Sequence, residues 1–378
     1  MKNNSNIKVI AFYLPQFHRI PENDDWWGEG FTEWVNVKGG KSFYHWQVQP
    51  RIPLNNNYYC LLDGDTQVWQ AELAKKYGIY GFCYYHYWFD GHMLLEKPME
   101  SMLKNDNVNI PFCICWANED WTNAWVSPNA DILISQTYGN EDEWVMHYKY
   151  LSDYFKDRRY IVEDNMPLMI IYRPEIILCM NQMIDCWNKL AIQDGFAGLK
   201  FAYQSAGLDY PVQQDNSKFF YDIEMQPMYA RIAGRGMNRQ KARDFTTKMM
   251  RTTILTWVYN SIKKITGPKI LDYDYVWETI LATPPLSTKS LPCAFVDFDN
   301  TARRKENGWL FKGVSVEKFK KYFFRLAEKT INEYHADKIF IFSWNEWAEG
   351  GYLEPDEYNR YGYLEVILDV ISHFKKDN

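Results

Sequence analysis

Eight short apolar runs, separated by stretches with helical spacing, limit what this chain can fold into. They are Ile7–Leu14, Ile79–Trp88, Ile110–Trp116, Pro167–Tyr172, Leu199–Tyr203, Phe219–Met225, Pro292–Phe298 and Ile339–Trp344. Runs of this length read as strands buried on both faces, as in a parallel sheet covered by helices. Helical patterns lie between them at Asp65–Tyr77, Leu94–Lys104, Glu141–Tyr154, Ile176–Leu190, Tyr273–Leu281, Val316–Tyr334 and Tyr363–Phe374. The order predicts an α/β fold, a (β/α)8 TIM barrel, with long loops at the C-terminal face of its strands. No Gly/Ser-rich or Pro-rich linker divides the 378 residues, so residues 1–378 are expected to form one domain. A doubly wound open sheet is the competing fold, but no Gly-rich phosphate loop follows the first run. The stretch 227–291, with a further helical pattern at Arg239–Lys264, reads as a helical insertion between strands six and seven that caps one end.

Composition narrows the partners. A formal charge of -6 argues against nucleic acid or an anionic membrane as the main partner and favours a neutral one. No run reaches the roughly 18 apolar residues of a spanning helix, and the VIAFYL near the start is too short for a signal-peptide core. Seven cysteines, an odd number, lie partly in strand-like runs and read as reduced thiols, which predicts a cytoplasmic protein. Aromatic residues make up 17%, with 16 Trp and 28 Tyr. Such rings fill cores, and they also offer flat apolar faces with polar tips that suit sugars.

Polar and aromatic residues cluster where the runs end, which is where a barrel of this kind places its active site. The last run leads into SWNEWAEGGYLEP, which carries Trp344, Asn345, Glu346, Glu349 and Glu354. The first leads into a long aromatic loop with His18, Glu33 and Trp34. The second ends in Tyr85, His86 and Tyr87, the third in Trp116, Asn118, Glu119 and Trp121, and the fourth in Tyr172. With Glu346 and Glu349 set aside as a catalytic pair, the other residues named here, Glu33 excepted, are the candidate substrate contacts. A histidine at a strand end is as often structural as functional, and glutamates three apart also occur on solvated surfaces.

Glycosidic bond cleavage needs one carboxyl group to protonate the leaving oxygen and a second to act as nucleophile, base or charge stabiliser. Glu346 and Glu349 supply such a pair, and a helical turn over Asn345–Gly350 would bring their Cβ atoms within about 5–6 Å. The seven histidines are scattered without HExxH or other ligand spacing, so neither a metal nor another cofactor is expected. No G-x-S-x-G or Walker pattern is present. Asp297 and Asp299 form a D-x-D pair, which can hold the metal of a nucleotide-sugar donor. Here it is read as bonding substrate or pairing with Arg303 and Arg304.

The phrases AFYLPQFH (11–18), GFTEW (30–34), GFCYYHYWF (81–89), CWANEDWT (115–122), LMIIYRP (168–174) and FSWNEWAEGGYLEP (342–355) resemble the WbsX family, also called glycoside hydrolase family 99-like proteins. The resemblance covers residues 7–374. It implies a (β/α)8 enzyme encoded with bacterial surface-polysaccharide genes, in a group often labelled glycosyltransferases. NEWAEG is similar to the NEWHEG of retaining endo-α-mannosidases and endo-α-mannanases. By that similarity Glu346 deprotonates the substrate's 2-hydroxyl, which attacks the anomeric carbon to give a 1,2-anhydro sugar, while Glu349 is acid and then base. Ala348 replaces the motif's histidine, which leaves the sugar open. The expectation is a retaining, endo-acting glycoside hydrolase on a bacterial polysaccharide or its precursor. A glycosyltransferase of O-antigen or capsule synthesis and an inactive glycan-binding protein are the alternatives.

Overall fold

The computed structural model of the chain describes residues 6–123, 131–205, 217–233 and 266–375. The eight runs form eight strands: β1 (Lys8–Tyr13), β2 (Ile79–Phe89), β3 (Phe112–Trp116), β4 (Met166–Ile171), β5 (Lys200–Ser205), β6 (Tyr221–Glu224), β7 (Ser290–Phe295) and β8 (Lys338–Phe342). Each pairs in parallel with the next in sequence, and β8 pairs with β1, from Lys8 opposite Lys338 to Ala11 opposite Ile341. The sheet is therefore a closed barrel with no free edge. The runs are apolar throughout because each strand is covered twice, by the barrel interior and by the helical shell. All five residues of β3 and all five of β8 are buried.

The longer helices are α1 (Gly64–Lys76), α2 (Lys97–Lys104), α3 (Glu141–Phe155), α4 (Met180–Gln193), α5 (Tyr273–Ala282), α6 (Val316–Asn332) and α7 (Gly362–Phe374). Their starts carry chemical stops that the sequence displays. Asp63, Asn140, Asp272 and Ser315 each accept a backbone N–H from the first turn of α1, α3, α5 and α6. On α6 the predicted apolar positions Phe319, Phe323, Leu326 and Ile331 are all buried.

Several boundaries differ from the sequence expectation. The helix predicted from Leu94 starts at Lys97, because β2 turns back at Asp90–Gly91 and pairs antiparallel with His92–Leu94. The helix predicted from Ile176 starts at Met180, after a single 3-10 turn at Pro174–Ile176. The long loop after β1 contains two short helices, Pro21–Trp27 and Glu33–Lys38. In the insertion, Lys269–Asp272 pairs in parallel with Trp309–Lys312 and precedes α5, while the helix expected at 239–264 lies outside the described residues. All seven cysteines are free, five of them buried, and among the described residues no helix is long and apolar enough to cross a membrane.

Ile341 sits fully buried in β8 between Ala11 of β1 and Ala294 of β7, at the junction where the barrel closes. Ile341→Ala should cost about 2–5 kcal/mol of unfolding free energy, since the small neighbours cannot fill the void. Urea denaturation measures this, and a loss below about 1 kcal/mol would mean that the site collapses around the missing side chain.

Candidate active site

The chain leaving β8 is held at almost every residue. Ser343 Oγ donates to the carbonyl of Gly351 (2.7 Å) and accepts from the backbone N–H of Glu346 (2.8 Å). Asn345 spends its side chain on the backbone beyond β1, accepting from Leu14 N–H (2.8 Å) and donating to Leu14 C=O (3.0 Å). Trp347 Nε1 donates to Glu354 Oε2 (2.6 Å), and the backbone N–H of Asp299 donates to the carbonyl of Glu349 (2.7 Å). The segment is a hairpin, with Asn345–Glu346 paired against Gly351–Tyr352 across a 3-10 turn at Trp347–Glu349. It replaces the helical turn expected over Asn345–Gly350. Gly350 closes it at φ 67, and a Cβ there would meet Asp299 N at 3.0 Å, so both conformation and space call for glycine.

Glu346 and Glu349 share one cation. Arg303, in the short helix Thr301–Arg304 that follows β7, donates from Nη2 to Glu346 Oε1 (3.0 Å) and from Nη1 to Glu349 Oε1 (2.8 Å). Its Nε donates to Glu33 Oε1 (2.7 Å), which comes from the loop after β1. Three carboxylates thus surround one largely buried guanidinium. Burial pushes the Glu346 carboxyl up to about 8, with Glu349 and Glu33 reinforcing the shift and Arg303 opposing it. Burial disfavours the charge of Arg303, but the three carboxylates outweigh it and hold the guanidinium protonated.

Glu346 and Glu349 face a cavity of ≈ 350 Å³ at the C-terminal ends of the strands. Tyr85, Tyr87, Glu119, Trp121 and Tyr172 line it with them, as do Gln16, Gln226, Phe298 and Arg304. Burial raises the phenols of Tyr85 and Tyr87 well above their ordinary range, so both stay neutral hydrogen-bonding groups. Glu119 is also raised by burial, against the pull of Arg173, with which it pairs.

The other sequence candidates lie outside this lining. His18 is buried with Nδ1 against the Pro15 carbonyl (2.9 Å), and burial lowers it to about 4. His86 meets His147 Nε2 to Nε2 (2.9 Å) among Trp88 and Tyr150, and burial takes it down to about 3, so it stays neutral. Trp34 Nε1 donates to Tyr59 C=O and Trp116 Nε1 to Trp88 C=O, both as core residues. Asn118 bridges to the backbone of Arg173, Asn345 to that of Leu14, and Trp344 is fully buried. Glu354 sits behind Trp347 and accepts from Gln70 (2.6 Å) and Tyr59 OH (2.7 Å), with burial raising it to about 7. Asp297 pairs with Arg51 rather than with Arg303 or Arg304, and Asp299 accepts from Gln47, Gln49 and Thr301. The sequence reading missed the bridging role of Arg303 and the anchoring of Glu33, which lie 270 residues apart. No local signal joins residues that distant. Among the described residues no group of His, Cys, Asp and Glu is arranged to hold a metal.

A folded carboxyl held above its ordinary value near 4.5 keeps its proton while the unfolded chain releases it. Glu346 therefore withdraws stability as pH rises from about 4.5 to about 8. Glu346→Gln should remove that part of the decline, so that the variant melts at a higher temperature than the parent at pH 8 and gains less at pH 5. Equal differences at the two pH values would show that Glu346 does not titrate in this way.

Residues 9–367 match the family model described as Glycosyltransferase WbsX. Two relatives from Xanthomonas campestris pv. campestris, both named Uncharacterized protein WxcX, are 30% identical over 366 residues and 31% identical over 370. Each match takes in 96% of this chain and 49% of the relative, so the chain spans about half the length of the curated relatives it matches. Among solved structures, a GH99 endo-alpha-mannosidase from Bacteroides thetaiotaomicron in complex with bis-tris-propane superposes with a TM-score of 0.57 at 14% identity, covering 98% of both chains. A glycoside hydrolase-like protein gives 0.55 at 13% identity over 100% of this chain and 96% of that one. At such identities the likeness is one of fold.

Proposed function

The chain belongs to the WbsX family, and from that membership we propose that it is a carbohydrate-active enzyme, a retaining glycoside hydrolase on a bacterial surface polysaccharide or its precursor. The observation that carries this reading is the pair Glu346 and Glu349 on one guanidinium, facing a cavity walled by Tyr85, Tyr87, Trp121 and Tyr172. Family membership and the barrel shared with an endo-alpha-mannosidase support it.

In the proposed cycle Glu346 takes the proton of the substrate's 2-hydroxyl, and O2 attacks the anomeric carbon. The bond to the leaving oxygen breaks as Glu349 gives that oxygen a proton, leaving a 1,2-anhydro sugar. Glu349 then takes a proton from water, water attacks the anomeric carbon, and O2 recovers its proton from Glu346. Two displacements at one carbon retain its configuration. Burial makes the Glu346 carboxylate a stronger base than one in water, which suits removal of a hydroxyl proton. Arg303 fixes the two carboxylates relative to each other, and the tyrosines and Trp121 offer hydroxyls and ring faces to the sugar.

A second reading, glycosyl transfer, is favoured by the description of the family. The same intermediate can be opened by a sugar hydroxyl instead of water, so both readings use the same carboxylates. Incubation in isotopically labelled water separates them: hydrolysis puts the label on the new anomeric hydroxyl, and transfer does not.

Glu349→Gln should lower turnover by about 10²–10⁴-fold, the usual weight of acid/base catalysis. Unchanged turnover would remove the assignment. Because Glu346 must be ionised to act, kcat/KM should climb with pH towards about 8, the value to which burial pushes it. A rate that instead falls through this range would reverse its role from base to acid.

A further inference from the structure

Beside the active-site cavity lies a second one of ≈ 320 Å³, formed by the loops after β1, β7 and β8. The extended stretch Asp297–Asp299 separates the two. Phe298 faces the first cavity, while Asp297 and Asp299 face the second, as alternation along an extended chain requires. Arg51 is only 8% exposed and lines this second space. Of the five N–H donors that a guanidinium carries, one is used among the described residues, from Nη2 to Asp297 Oδ2 (2.6 Å), and Nε is buried without a partner. Leaving the buried Nε unmet costs about 1–3 kcal/mol, and the guanidinium lines the cavity, where its donors left without a partner can meet acceptors from outside the chain.

The rest of the lining indicates what brings those acceptors. Tyr358 stands at the rim 71% exposed, a large ring that nothing covers among the described residues. Trp46 is fixed by a parallel stack with Tyr44 at 5.3 Å, and Lys312 lies 5.8 Å over its ring. The charges balance, with Arg51 and Lys312 against Asp297 and Asp299. The balanced charges give an ion of either sign no net attraction, whereas a neutral polyhydroxylated ring would meet donors on the floor and aromatic faces at the rim.

We infer that this cavity is a second carbohydrate subsite, which takes one neutral pyranose unit between Tyr358 and Trp46 with its hydroxyl oxygens on Arg51. The inference rests on the reading that the chain handles glycans, and it adds a holding site beside the reacting one. Asp299 ties the two together, because its backbone N–H holds the carbonyl of Glu349 while its side chain faces the second cavity.

The test is saturation-transfer NMR titration of the full chain with methyl glycosides of glucose, galactose, mannose, N-acetylglucosamine and rhamnose, with glucuronic acid as the charged comparison. Tyr358→Ala, an exposed change that leaves the core intact, should weaken the tightest neutral ligand by about fivefold through loss of the ring face. Arg51→Lys keeps the charge beside Asp297 but loses the planar fork, and should weaken it by a similar factor, about fivefold. Trp121→Ala in the first cavity should leave this binding in place. Binding of none of the sugars, equal binding by parent, Tyr358→Ala and Arg51→Lys, or loss with Trp121→Ala alone would each overturn the inference, and preference for glucuronic acid would overturn its neutral character. If the parent binds here but cleaves nothing, the catalytic reading fails and the subsite stands. If it cleaves glycan while Tyr358→Ala binds like the parent, the reverse holds.

Discussion

One guanidinium shared among Glu33, Glu346 and Glu349 is the constraint around which the upper face of the barrel is arranged. Taking Glu33 and Glu346 out of water beside a half-buried Glu349 is costly, and Arg303 compensates only part of the charge. The remainder shows in Glu346, whose carboxyl burial holds up to about 8. Such a cluster persists only where the surroundings over-determine it. Ser343, Asn345, Trp347, Gly350 and Asp299 each fix one part of the turn that carries the pair.

The barrel supplies this arrangement through its closure. Glu33 follows β1, Arg303 follows β7 and the two glutamates follow β8, and these three strands are neighbours because β8 pairs with both β7 and β1. Opening this barrel between β1 and β8 would leave the two strands at opposite edges, and the cluster could not form. The core and the site are linked here: the register of β8 against β1 and β7, with Ile341 opposite Ala11 and Ala294, fixes the end of the strand from which Glu346 and Glu349 follow. The same closure brings the loops after β1, β7 and β8 around the second cavity, so one strand junction frames two spaces.

The fold was readable because strands buried on both faces leave apolar runs that little else mimics, and all eight runs became barrel strands. Helix starts were less legible where a local turn intervened, as at Asp90–Gly91, since the apolar pattern continues through the hairpin into α2. The carboxylate pair could be picked out because both members lie in one short stretch. Arg303 and Glu33 could not, since nothing in either neighbourhood records the other. Trp34, Trp116 and Trp344 were attractive as sugar platforms by residue type, yet each has its ring in the core. Type alone does not tell which face of a strand exit a ring takes. Asp297 and Asp299 were noticed as a pair, but their partners Arg51, Gln47 and Gln49 come from the far end of the sequence.

The unequal division of work between the two glutamates is the central claim, and a crystal structure of the Glu349→Gln variant with a bound oligosaccharide tests it most directly. The predicted result places a sugar 2-hydroxyl within hydrogen-bond reach of Glu346, about 2.6–3.2 Å, and the glycosidic oxygen at the same reach from residue 349. A glycan bound with its glycosidic oxygen against Glu346, or with no anomeric carbon near either residue, would contradict it.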